Sequence, residues 1–92
     1  MTEGKEQRQL DQVQRGLAAQ RLIDDEIVMA WFAAKHTELV EKMLSAKLSD
    51  DETRREAAGE LSMLRELKRM IEAEAGAGRR TQDTIEKRKT SK

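Results

Sequence analysis

The chain has 92 residues, of which 39% are charged and 37% hydrophobic, with a formal net charge of zero, no cysteine, no proline and one histidine. This length holds one domain, and Trp31 and Phe32 as the only aromatics make a thin supply for a globular core, so stability is expected to be shared with partners. Without cysteine there is no disulfide framework and no thiolate metal site, which fits an intracellular setting. The polar start Met1-Thr2-Glu3-Gly4-Lys5-Glu6 does not read as a signal peptide, and no apolar run approaches the roughly 20 residues that span a bilayer, so a soluble chain with no membrane association is expected.

Residues 1–5 read as disordered. From about residue 6 to residue 48 strong helix formers dominate and the sole breaker is Gly16, which predicts one long first helix, or two helices meeting near that glycine. Its early part carries Leu10, Val13 and Leu17 at spacings of three and four, a narrow stripe of the coiled-coil kind.

The run Ile27-Val28-Met29-Ala30-Trp31-Phe32-Ala33-Ala34 follows. Successive helical residues fan out by about 100°, so this run is apolar around its whole circumference for two turns. One neighbouring helix covers only one side. Met29, Phe32, Leu39 and Met43 form one row with His36 in phase, and Ile23, Ile27, Trp31 and Ala34 form a second row beside it. Adjacent residues cannot point the same way, so one ring of the Trp31–Phe32 pair is expected to face the partner helix of the same chain and the other to be free for a second surface.

Ser49-Asp50-Asp51-Glu52 has the form of a capping box, with the Ser49 hydroxyl accepting from the amide three residues on and Glu52 reaching back. It predicts a second helix over about residues 50–75, carrying Ala57, Leu61, Leu64, Leu67 and Ile71 with Met63 and Met70 widening the stripe, and ending at Gly76 and Gly78. So short a break favours antiparallel packing. The expected fold is all-α: an antiparallel helical hairpin within residues 6–78 that has a long first helix and assembles into an oligomeric bundle. Residues 6–22 would overhang the hairpin with their own apolar stripe exposed, a second reason to expect self-association.

Residues 79–92 form a basic tail. Arg79, Arg80, Lys87, Arg88, Lys89 and Lys92 face only Asp83 and Glu86, a balance of +4, against −4 for the other 78 residues. Such a tail suits a phosphate backbone or an acidic protein surface, and equally a disordered solubilising extension.

Catalytic signatures are missing. There is no Gly-x-Ser-x-Gly, no glycine-rich phosphate loop, and His36 is the single histidine, in Ala33-Ala34-Lys35-His36, without the glutamate three residues earlier that a di-iron bundle site needs. It reads as a partly buried polar residue in a helix seam. Asp24-Asp25-Glu26 spreads over about 200° of helix and reads as a solvated collar, not a cation site. Arg54, Arg55, Arg65 and Arg69 read as partners of nearby acids before they read as a nucleic-acid stripe. No enzyme activity, cofactor, metal or small-molecule substrate is expected.

The stretch from Ala19 to Gly78 resembles a group of small α-helical proteins encoded among tailed-bacteriophage virion genes. The residues that carry the resemblance are Ala19 with Leu22-Ile23-Asp24-Asp25, an aromatic on the first helix, Ser49-Asp50-Asp51-Glu52-Thr53-Arg54-Arg55-Glu56, then Leu61, Leu64, Leu67 and Ile71 with a closing glycine. The resemblance implies a virion structural or assembly factor, located in the host cytoplasm during assembly and then in the virion, with other virion proteins among its partners. The expected function is therefore a self-associating helical hairpin that binds its own copies through Leu10, Val13, Leu17, Ile27, Trp31 and Phe32 and engages an acidic partner through Arg79, Arg80, Lys87, Arg88 and Lys89. The alternatives are a DNA-packaging component of the small-terminase kind, whose tail touches the DNA backbone, and a small regulator that caps another protein with its apolar face.

Overall fold

A computed structural model describes residues 2–90. Among the described residues the chain is all-helical, with no strand: α1 spans Thr2–Asp24, α2 spans Glu26–Ser45 and α3 spans Asp51–Thr90. The helices form two compact units. Residues 2–24 associate with residues 70–90, and Asp25–Arg69 form the other unit, so α3 contributes to both.

Several expected boundaries are corrected. Residues 2–5, expected to be disordered, belong to α1, while Met1 lies outside the described residues. The long first helix expected over residues 6–48 breaks, and the break falls at Asp25 instead of Gly16. Asp25 takes an extended backbone (φ −81°, ψ 113°), and its carboxylate accepts from the amides of Ile27 at 2.9 Å and Val28 at 3.2 Å. A capped start thus replaces the continuing ladder, because aspartate is among the best N-cap residues. A single helical glycine costs only about 1 kcal/mol relative to alanine, too little to end a helix made of good formers.

The second helix does not end at Gly76 and Gly78; α3 runs on to Thr90, so the basic residues 79–89 are helical. No glycine among the described residues has the positive φ of a helix-terminating cap. The start of α3 is capped by Asp50, not Ser49: one carboxylate oxygen accepts from the Thr53 amide at 3.1 Å and the other from its hydroxyl at 2.7 Å.

In the unit Asp25–Arg69 the core is Leu39, Ala57 and Leu61, with Val40, Met43 and Leu64 packed against them. Leu48, at the predicted end of the first helix, is 94% exposed, because α2 has already ended at Ser45. In the other unit the overhang expected for residues 6–22 does not occur: this stretch packs on α3. Gly16 and Gly78 meet so closely that a Cβ on either would lie 2.6 Å from the other's Cα. Ala19 and Ala75 are buried nearby, so this seam buries small side chains and little apolar area. Polar pairs lock its register: Thr81 donates to Gln12 at 2.6 Å, Arg79 to Gln20 at 2.6 Å and Arg88 to Gln9 at 3.4 Å.

Candidate interaction surface

Helix α2 presents two different faces. The inward one carries Phe32, 7% exposed, and Leu39, 2% exposed. Of the paired rings Phe32 is thus the inward one, while Trp31 is 55% exposed and meets Phe32 edge to face with ring centroids 5.4 Å apart. Ile27, one turn before Trp31, is 81% exposed, and Ala30 and Ala34 are exposed beside it. These four residues fall at positions i, i+3, i+4 and i+7, a continuous apolar stripe two turns long on the side of α2 away from its core. Glu38 and Glu41 continue the same row toward the C-terminal end of α2.

On the inward side, α2 and the first part of α3 leave an open cleft of about 370 Å3. Its floor includes Met29, Phe32 and Leu64, and its polar members are His36, Thr37, Arg65 and Lys68. Arg65 Nη2 lies 3.5 Å from His36 Nε2. No carboxylate lines this cleft, and no group of three or more His, Cys, Asp or Glu able to hold a metal ion occurs among the described residues.

The other expected contact residues are distributed differently. Val13 lines the Gly16–Gly78 seam together with Leu17, Ala75 and Arg79, so it is engaged within its own chain. Leu10 and Leu17 remain about half exposed. Leu10 flanks a groove of about 350 Å3 with Glu6, Gln9, Ile85, Arg88 and Lys89. Of the basic group, Arg79 and Arg88 are tied to glutamines of α1, and Arg80 accepts at its carbonyl from the Thr84 hydroxyl at 3.0 Å. Lys87 is exposed on the same helix. The residues expected to make a free tail are thus spread around a helix that α1 partly covers.

The chain matches no protein-family model, no curated protein and no solved structure. No described helix is long and apolar enough to cross a membrane.

Two features are not legible in the sequence. Arg54 reaches back over the turn between α2 and α3, donating to the carbonyls of Ala46 at 3.3 Å, Lys47 at 2.6 Å and Leu48 at 2.8 Å and pairing with the Asp51 carboxylate. An arginine four residues past an aspartate cap is the one sequence signal for this, and it also fits an ordinary helical ion pair. Met63, Leu67 and Met70, expected on the packed face of α3, are mostly exposed and form a second apolar row.

Proposed function

We propose that this chain is a non-enzymatic assembly protein, an antiparallel helical hairpin that binds further copies of itself through the outward face of α2. The observation that carries this reading is the stripe Ile27, Ala30, Trp31 and Ala34, which lies exposed opposite the chain's own core. Exposed stripes of this kind mark protein contact sites, and tryptophan is among the residues most enriched at their energetic centres. The setting in a phage virion rests on the resemblance of residues 19–78 to helical proteins encoded among virion genes.

The test uses Trp31 as both variant site and reporter. As the sole tryptophan, its emission should shift to shorter wavelength as concentration rises and copies cover it. Trp31→Glu should abolish that association in sedimentation equilibrium while leaving the helical CD signal intact, because the side chain is more than half exposed in the single chain. An unchanged oligomer would reject the reading, as would a wild-type chain that stays monomeric.

The excess positive charge of residues 79–92 favours a second reading, contact with an acidic partner or a DNA backbone. Duplex retention that falls steeply between low and moderate salt, and falls again in Arg80→Gln/Lys89→Gln, is its expected signature. Retention unaffected by both would eliminate it.

A further inference from the structure

We infer that the basic cleft on the inward side of α2 is the seat for the outward stripe of a second copy, so that the chains join head to tail through two different surfaces. This deepens the self-association proposed above and rests on it. The two surfaces differ in position. His36 comes nine residues after Ile27 and lies about 180° round the helix from it, so one α2 presents stripe and cleft on opposite sides. They also differ in chemistry, in a complementary way.

The cleft joins an apolar floor of Met29, Phe32 and Leu64 to a rim of His36, Arg65 and Lys68, without a carboxylate. Every ion pair found for an arginine or lysine in the unit Asp25–Arg69 involves Lys35, Arg54 or Arg69; Arg65 meets only His36, and Lys68 meets no carboxylate among the described residues. The outward stripe is apolar at Ile27 and Trp31 and acidic at Glu38 and Glu41. Glu41 has no cationic partner among the described residues, and Glu38 holds only the half-buried Lys35 of its own helix, at 3.5 Å. A cleft of about 370 Å3 is wide enough to receive the indole, in the manner of a helix laid into a groove, while the two glutamates come to the basic rim. A match between two copies of the stripe would instead bring acid against acid, which is repulsive.

An interface between unlike surfaces leaves each end of a pair free to bind again, so the wild type should form a closed ring or a chain of more than two copies. The experiment is a mixing test in sedimentation velocity. Trp31→Glu removes the stripe and Arg65→Glu/Lys68→Glu removes the cleft. All three positions are exposed, and CD establishes that each variant is folded. Each alone should be monomeric, its association weakened about tenfold or more. Mixed in equal amounts they should form a complex of two chains and stop there, because one intact stripe meets one intact cleft. As an independent check, Glu38→Lys/Glu41→Lys should recover association with Arg65→Glu/Lys68→Glu. Should the cleft variant alone still assemble like the wild type, or the two monomeric variants fail to combine, the head-to-tail seat is wrong while self-association stands. A wild type that is monomeric throughout overturns both.

Discussion

At the scale of single residues the glycines divide into two kinds. Gly16 and Gly78 are required by the space between α1 and α3: a methyl group on Gly16 would lie 2.6 Å from the Gly78 Cα and 3.1 Å from the Glu74 carbonyl oxygen. Backbone cannot step aside as a flexible side chain can, so the helices would have to part. Overpacking of this sort costs typically 1–3 kcal/mol, more than the about 1 kcal/mol of helix propensity that alanine adds. Gly16→Ala should therefore lower the thermal midpoint followed by CD at 222 nm. Gly59 is the control, since a Cβ there meets nothing within 4 Å. Gly59→Ala should raise the midpoint by a few degrees, the value of about 0.5–1 kcal/mol in a chain this small. If both substitutions stabilise alike, the close crossing is not part of the fold in solution. Composition flagged Gly16 only as a breaker, because a sequence does not show what lies across from a residue.

At the scale of elements, what was legible in the sequence was whatever depends on neighbours along the chain. The amphipathic rows of α2 and early α3, the restart near residue 50 and the core of Leu39, Ala57 and Leu61 with Leu64 beside it follow from spacing alone. The misplaced boundaries have a common cause. Asp25 is a cap of the same chemistry as Asp50, but an acidic cluster inside a run of helix formers also reads as a surface collar, and only the extended backbone at residue 25 separates the two. Gly76 and Gly78 have the form of a C-terminal signal, but α3 runs past them and Gly78 serves the close packing of α1 instead. The turn itself yields a prediction. The Thr53 side-chain and backbone hydrogen bonds hold the Asp50 carboxyl below the usual carboxylate range, with a smaller contribution from Arg54, and burial opposes them. A carboxylate with a lowered pKa in the folded state contributes stability above its unfolded pKa and loses it as pH falls through the folded value. The thermal midpoint should thus drop below about pH 4, and Asp50→Asn should lower the midpoint at neutral pH while reducing that acid-dependent drop. Arg54→Lys keeps the charge and loses the planar fork that gathers the turn carbonyls; it should cost roughly 1–2 kcal/mol. A lysine variant as stable as the wild type would show that the charge alone holds the turn.

At the scale of the whole molecule the shared helix α3 gives the basic segment a structural task besides any partner it meets. Thr81 and Arg88 hydrogen-bond Gln12 and Gln9, and Ile85 shares a groove with Leu10. Residues 79–89 are therefore the partner that the early half of α1 needs. A helical segment of a dozen residues is marginal in water by itself, so the early half of α1 cannot be expected to persist once that partner is gone. A chain ending at residue 78 should lose more ellipticity at 222 nm than removal of the α3 residues after 78 accounts for, and trypsin should then cut at Lys5 and Arg8 at early times. A free tail predicts otherwise: the loss would match the deleted residues alone, and the cleavage pattern of residues 2–24 would not change. The same contrast decides how any effect of the deletion on assembly is read. If removing residues 79–92 weakens association while Arg80→Gln/Lys89→Gln does not, the segment acts by holding α1 in place, whereas equal effects of deletion and charge removal would assign it to direct contact with an acidic partner.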